Sequence, residues 1–255
     1  MMNGILSKGT SMRCLVLSDI HSNLDAFQAV VDDAGPVDQV WCLGDVVGYG
    51  PDPNGCVELL RSMPHLCIAG NHDWATLGKL DLRDFNPDAR EANLWNRQQL
   101  TPNNLAYLND RPETLVEGDF TLTHGSPRHP IWEYIIYAST AQINFGHFDT
   151  PFCLVGHTHT PMVFRLHGKG RSKKCEAISP TLNGPLSLEP GRLIANPGSV
   201  GQPRDGDPRA SYLILDTEAL TIEYRRVEYP FEATQAKMME HDLPLRLVLR
   251  LGYGW

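Results

Sequence analysis

Five places in this chain put metal-ligating residue types directly after a short apolar run. Cys14-Leu15-Val16-Leu17 leads into Asp19 and His21, and Val40-Trp41-Cys42-Leu43 into Asp45. Leu66-Cys67-Ile68-Ala69 leads into Asn71, His72 and Asp73. Phe120-Thr121-Leu122-Thr123 ends at His124, and Cys153-Leu154-Val155 ends at His157 and His159. A lone histidine is usually structural; five such ends together are a different observation. Side chains alternate faces along extended backbone, so the Asp19/His21 and His157/His159 pairs are each expected to send two ligands into one cleft. Glycines beside Asp45, Asn71, His124 and His157 permit tight turns or close backbone approach. The bland alternative is a set of satisfied core polar residues that never meet.

The donors are carboxylate, imidazole and amide oxygen. They suit Mn²⁺, Fe²⁺ or Zn²⁺, with Mg²⁺ and Ni²⁺ also compatible. The absence of thiolates among them disfavours a Cys-rich structural zinc site. Asp45 stands alone between two ligand-rich tips and is the candidate to bridge two cations. Two such ions, roughly 3.5–4 Å apart, clamp a phosphate and activate water for in-line attack.

The elements that must position these residues follow a strand, polar tip, helix plan. A helix is expected after Ser22 as N-cap, ended by Gly35-Pro36. Asp52-Pro53, Asn86-Pro87 and Thr101-Pro102 each suit an N-cap followed by proline at the first helical position. The repeated plan reads as an α/β sheet with its site at the strand ends. A helical segment around 74–110 is expected to border that site, within one domain spanning 1–255. Gly168 to Gly191, with Arg171, Lys173 and Lys174, reads as an exposed hairpin or loop, with a binding arm as the alternative. Late strands are expected over Tyr212 to Leu215 and Leu220 to Tyr229, and a helix over Ala233 to His241. Leu245 to Trp255 is too apolar for a free tail and is expected to pack on this subunit or, as a homo-oligomer contact, on a second copy.

Taken together these blocks are a resemblance. Asp19-x-His21, Gly44-Asp45, Gly70-Asn71-His72-Asp73, His124-Gly125 and Gly156-His157-Thr158-His159 resemble, in order, the motifs of calcineurin-like metallophosphoesterases, over residues 13 to about 215. Gly44 to Pro51 and Asn196 to Arg204 are similar to the small bacterial and archaeal phosphodiesterase branch, relatives of diadenosine tetraphosphatase. The resemblance implies a four-layer αββα sandwich of two mixed β-sheets flanked by helices. It implies one metal on Asp19, His21, Asp45 and His159, a second on Asp45, Asn71, His124 and His157, and His72 beside the leaving oxygen.

The expected chemistry is hydrolysis of a phosphoester, most naturally a phosphodiester of a small or nucleotide-like substrate, with Mn²⁺ the leading metal. A symmetrical dinucleoside tetraphosphate hydrolase, a metal-dependent nuclease and a nonenzymatic metal-binding scaffold are the alternatives. Asp73 is expected either to orient His72 or to cap a helix. Arg128 and Arg204 are the candidates for a substrate phosphate, with a surface salt bridge or loop anchor as the other reading. Asn196 is expected to shape its loop. Trp132, Tyr134 and Tyr137 either border a pocket or pack in the core.

Composition narrows the field. The chain has 255 residues, 42% of them apolar, enough for one large core or two modest domains. It carries 30 acidic and 22 basic residues, a formal charge of -8, which disfavours duplex nucleic acid held by a broad basic surface. It has no run of eighteen apolar residues, and Met1 to Arg13 lacks an apolar signal core; a cytoplasmic, membrane-free protein is expected. Of six cysteines, Cys14, Cys42, Cys67 and Cys153 read as small buried hydrophobes, with Cys56 and Cys175 left open.

Overall fold

In a computed structural model of the chain, the structure describes residues 11–168, 170–182 and 184–255. Most of the N-terminal stretch Met1 to Arg13, read above for a signal core, lies outside them, as does Lys169 of the polar excursion.

Two six-stranded mixed sheets face one another. The first begins with β1 (Arg13–Leu17), β2 (Gln39–Cys42) and β3 (His65–Cys67), all parallel. They are joined by α1 (Leu24–Ala34) and α2 (Pro53–Arg61). Beyond β3 come α3 (Asn71–Leu77), α4 (Pro87–Gln99) and α5 (Pro102–Asn109). The second sheet is built from β4 (Thr114–Glu117), β5 (Phe120–Thr123), β6 (Phe152–Leu154), β7 (Met162–His167), β8 (Lys174–Ile178) and β10 (Arg192–Asn196), with α6 (Ala138–Asn144) ahead of β6. The short β9 (Leu186–Ser187), then β11 (Ala210–Asp216) and β12 (Thr221–Val227), return to the first sheet, in the order β3-β2-β1-β11-β12-β9. The chain closes with α7 (Phe231–Glu240) and α8 (Leu245–Arg250).

The layers follow from which face each side chain takes. Along β1, Cys14 and Val16 join Trp41, Phe120, Leu154, Leu213 and Tyr224 between the sheets, while Leu15 and Leu17 join Phe27, Val30 and Val57 beneath α1 and α2. This is the two-residue period of a strand buried on both faces. On the outer face of the second sheet, Ala141 and Phe145 from the α6 region cover Val155, Phe164 and Ile194. The result is the expected αββα order. Each fully buried large apolar side chain, such as Phe27 or Leu17, contributes about 1.5–3 kcal/mol on removal from water.

Local signals mostly act as expected. Asn86 and Thr101 cap α4 and α5 through side-chain bonds to Ala89 N and Asn104 N. Two differ. Asn23, not Ser22, caps α1, accepting from Ala26 N, because the Ser22 hydroxyl is taken by Asn96. Asp52 makes no capping bond and instead pairs with Lys237 at 3.0 Å.

All six cysteines, Cys56 and Cys175 included, are buried and free. The front of the polar excursion forms an edge hairpin, β8 against β7, with Lys174 opposite His167, and its later part supplies β9 to the first sheet. Since β7 leads away from the His159 loop, the Lys174 end lies about five strand residues, roughly 16 Å, from the ligands, and the binding-arm reading of Lys173 and Lys174 loses its basis. Leu247, Val248 and Leu251 pack on Tyr49, Ala89, Ala92 and Met238 of the same subunit, so the apolar C-terminal segment has an internal partner. Among the described residues no helix is long and apolar enough to cross a membrane.

Candidate metal centre

The ligand loops leave the C-terminal ends of parallel strands in both sheets: β1, β2 and β3 on one side, β5 and β6 on the other. They do not run extended. Asp19, His21, Asp45, His157 and His159 all have positive φ, between 50° and 66°. The expected alternation of side chains along extended backbone is therefore replaced by left-handed turns that aim each ligand inward. Such conformations are strained for residues with a Cβ and cluster at functional sites. The two glycines flanking Asp45 and Asn71 are required by close approach. A Cβ on Gly44 would lie 2.7 Å from Gly70 N, and one on Gly70 would overlap the Asp45 carboxylate.

The seven predicted ligands meet. Asp19, His21 and His159 form one buried group and Asp45, His124 and His157 a second; within each group, one candidate ligand atom per residue lies within 4.8 Å of the others. His21 Nε2 and His159 Nε2 are 3.1 Å apart. His124 Nε2 lies 3.0 Å from Asn71 Oδ1 and 3.2 Å from His157 Nδ1. Asp45 Oδ2 sits between the groups, 3.6 Å from His21 Nε2 and 3.3 Å from His124 Nε2.

Three of the four imidazoles are aimed by a carbonyl from another segment. His21 Nδ1 donates to Val47 O (3.2 Å), His124 Nδ1 to Leu43 O (2.8 Å) and His159 Nδ1 to Gln202 O (2.6 Å). In the neutral ring this leaves the Nε2 lone pair facing the centre. His157 instead offers Nδ1 and stacks on Tyr134, centroids 3.9 Å apart.

The carboxylates are divided in the same way. Asp19 Oδ2 accepts from His157 N (3.1 Å) and Asp45 Oδ1 from His72 N (2.8 Å). Asp19 Oδ1 and Asp45 Oδ2 are buried with no hydrogen-bond partner. A buried carboxylate oxygen without a partner is costly, and here two of them face converging nitrogen lone pairs. The donor set therefore fits a pair of divalent cations.

Electrostatics agree. Burial holds His21 and His157 well below the ordinary histidine range, and burial with the Arg204 charge lowers His159. These rings are neutral and free to ligate at neutral pH. Burial would raise Asp19, but in the acid range where it titrates the charges of His159 and His124 outweigh burial and hold the carboxyl at about 2. Burial likewise opposes charge on His124, yet the adjoining Asp45 lifts it to about 9.

The remaining predicted residues divide. His72 lies beside the centre, its ring 4.9 Å from His21, with burial lowering it to about 4. Asp73 does not orient it. The Asp73 carboxylate accepts from the backbone amides of Asp45 (2.9 Å), Val47 (3.1 Å) and Gly70 (3.0 Å), stapling the Asp45 loop to the start of α3. The partner of His72 is Asn93 on α4, with Nδ1 3.1 Å from Asn93 Oδ1.

Arg128 is a loop anchor: its guanidinium is engaged by Glu133, which also accepts from Ser126 and Asn144. The expectation that it meets substrate gives way to that pairing. Arg204 does reach the site, donating to Tyr49 OH and Gln202 Oε1 and lining the adjoining cavity. Asn196 holds its loop, as expected, through Gly156 O and Thr158 Oγ1. Trp132, Tyr134 and Tyr137 are 38%, 46% and 69% exposed, so they are not core; Tyr134 and Trp132 border the site and Tyr137 faces solvent.

Tyr49, Asn93 and Asn96 escaped the sequence reading. Tyr49 packs between His21 and His72, at 4.6 and 4.3 Å. Asn96 ties Ser22, Gly48 and Gly50 together. Their signal was available: Ala89, Ala92, Asn93 and Asn96 share the buried face of α4, and asparagines on an apolar face must find polar partners.

Comparison with known proteins agrees with this geometry. The calcineurin-like phosphoesterase superfamily domain matches residues 12–220. A crystal structure of a metallophosphoesterase from Sphaerobacter thermophilus is 50% identical, covers 96% of this chain and all of its own, and superposes with a TM-score of 0.87. An uncharacterized protein of Methanocaldococcus jannaschii is 39% identical over 247 residues, 94% of this chain and 97% of its own length. A symmetrical bis(5'-nucleosyl)-tetraphosphatase of Pseudomonas putida is 29% identical over 105 residues, 34% of this chain and 36% of its own. With the family matched across most of its length and a paired ligand set in place, this chain belongs to the calcineurin-like phosphoesterase superfamily and is a metal-dependent phosphoesterase.

Proposed function

We propose that the chain hydrolyses a phosphodiester of a small, nucleotide-like substrate at a binuclear centre, with Mn²⁺ as the working metal. Asp19, His21, Asp45 and His159 would hold one ion, and Asp45, Asn71, His124 and His157 the other. The observation that carries this reading is Asp45 Oδ2, buried, unpartnered and within 3.6 Å of an imidazole from each group. When bound, two divalent ions supply charge to offset the phosphate oxygens and orient and activate the attacking water.

The protein's own groups do the rest. His72 would meet the departing oxygen through Nε2 while Asn93 holds Nδ1. Burial keeps the ring neutral, and an incoming phosphate anion is the neighbour that favours its protonation. Tyr49 and Tyr134 wall the centre and exclude water from one side of His72 and His157. Arg204 would contact the substrate anion. We also propose that residues 1–255 act as one catalytic domain, with the helical segment around 74–110 at the edge of the cleft, because α4 supplies Asn93. Free thiols at all six cysteines suit a reducing, cytoplasmic setting. Exposed Leu245, Leu249, Tyr253 and Trp255 keep a homo-oligomer contact open through the C-terminal segment.

The test is turnover of bis-p-nitrophenyl phosphate and p-nitrophenyl phosphate by stripped protein reloaded with Mn²⁺, Fe²⁺, Zn²⁺, Ni²⁺ or Mg²⁺. Diester turnover, highest with Mn²⁺, supports the reading; failure to cleave either ester with any metal would overturn it. The likeness to the Pseudomonas putida tetraphosphatase favours a narrower second reading, a symmetrical dinucleoside tetraphosphate hydrolase. Chromatography of the products of diadenosine tetraphosphate tests it, and unchanged substrate counts against it.

A further inference from the structure

Next to the centre lies a cavity of about 530 Å³ lined by Tyr49, Tyr134, Arg204, Arg246 and Arg250, with Asn86 to Asp88 also in its wall. Tyr49 packs on His21 and His72 and Tyr134 stacks on His157, so the cavity is one aromatic ring away from the ligands. Arg246 and Arg250 come from α8. Their four-residue spacing puts both on one face of that helix, while Leu247, Val248 and Leu251 face the core.

Holding three guanidinium groups here opposes stability. Like charges at this spacing repel; burial and the Arg204 charge together push Arg250 down to about 10, with Arg246 adding to the effect. Elsewhere Arg83, Arg128, Arg209, Arg225 and Arg226 each sit on an acid. Among the described residues, no Asp or Glu carboxylate comes within 4.0 Å of Arg204, Arg246 or Arg250. The polar partners of this trio are Tyr49 and Gln202 for Arg204, and the main-chain oxygen of Trp255 for Arg250. Arg204 Nε is buried with no partner at all. Asp88 is the one acidic side chain in the wall, facing three guanidinium groups, on a chain whose total is -8.

We propose that this cavity is a second anion subsite, taking a phosphate of the substrate other than the one being hydrolysed, so that the preferred substrate is a phosphoester carrying a second phosphate group. This rests on the phosphodiesterase reading above. A phosphate monoester carries about -1.5 to -2 charge near neutral pH, and its oxygens suit guanidinium forks.

The test uses two esters that differ by one phosphate: thymidine 5'-(p-nitrophenyl phosphate) with and without a 3'-phosphate. Wild type should prefer the 3'-phosphorylated ester. Arg246 is exposed, so its replacement does not disturb the core. In Arg246→Ala the ratio of kcat/KM between the two esters falls about tenfold, the scale of one lost charge-assisted hydrogen bond; Arg246→Lys retains part of it, and Arg250→Ala repeats the loss. If wild type cleaves both esters and the ratio is unchanged in Arg246→Ala and Arg246→Glu, the subsite is refuted and the hydrolase reading stands. Calorimetry with thymidine 3',5'-bisphosphate and thymidine 5'-phosphate needs no turnover. Tighter bisphosphate binding that depends on Arg246 supports the subsite even if neither ester is cleaved, an outcome that would instead sink the hydrolase reading.

Discussion

Replacing Asp45 with asparagine is expected to move stability in opposite directions with and without metal. The side chain keeps its shape, and an amide oxygen can still accept from His72 N, as Asp45 Oδ1 does at 2.8 Å. What changes is Oδ2, buried and unpartnered between His21 and His124. In stripped wild type this charge is offset by a proton on His124, whose ionisation lies near 9. Because that folded value is raised above the unfolded 6.5, the stability it contributes is fully present below pH 6.5 and is lost as pH rises through 9. Above that pH the Asp45 carboxylate is buried with neither proton nor ion beside it. The Asp45→Asn change removes the charge and turns an NH₂ toward two imidazole lone pairs. An unsatisfied buried polar group costs about 1–3 kcal/mol, and each kcal/mol shifts Tm by about 2–4 °C at this chain length. In EDTA at pH 9 the variant should therefore melt about 2–12 °C above wild type, and the advantage should shrink toward pH 6. With Mn²⁺ the order reverses, since wild type gains from binding and the variant gains little. Scanning calorimetry at both pH values, with EDTA or Mn²⁺, decides it. A variant less stable than wild type in EDTA at pH 9, or equal metal stabilisation of both proteins, would refute the reasoning.

Gly70→Ala drives a methyl into the Asp45 carboxylate; overpacking of this kind costs about 1–3 kcal/mol, read as a lower urea midpoint together with reduced metal content. Asn93→Ala should lower kcat about tenfold or more with metal content and KM near wild type, because it frees His72 without touching a ligand; loss of metal instead would show that Asn93 acts on the centre itself. For Glu133, burial would raise the carboxyl, but hydrogen bonds from Arg128, Ser126 and Asn144 hold it at about 2. Its folded value is depressed, so its contribution is present above the unfolded value of about 4.3 and is lost as pH falls toward 2. Glu133→Gln should flatten that part of an acid titration followed by circular dichroism, and an unchanged curve would argue against the pairing.

The proposed ligands were legible because each follows an apolar strand, and strands of an α/β protein deliver their C-terminal ends to one edge. The reason offered for their convergence was wrong in detail: Asp19, His21, His157 and His159 turn inward through left-handed backbone, which residue type does not announce. Arg128 and Arg204 looked equivalent in the sequence. Glu133, five residues beyond Arg128, takes it out of play, while the contact of Arg204 with Tyr49 spans 155 positions and needs the fold. Asn93 was hidden for the same reason, 21 residues from His72 on a helix whose docking no local pattern states. The C-terminal segment was read only for its apolar character, and Arg246 and Arg250 within it drew no reading.

The carbonyls that steer His21, His124 and His159 have a collective effect. Each belongs to a segment other than the one carrying the histidine: Leu43 and Val47 both follow β2, and Gln202 lies beyond β10. The loops carrying these three histidines are thus not self-sufficient modules, and excising the Asp45 loop would leave the His21 and His124 imidazoles free to swivel. Affinity for the ions becomes a property of the two docked sheets, so on heating, ion release should accompany the main cooperative transition instead of preceding it.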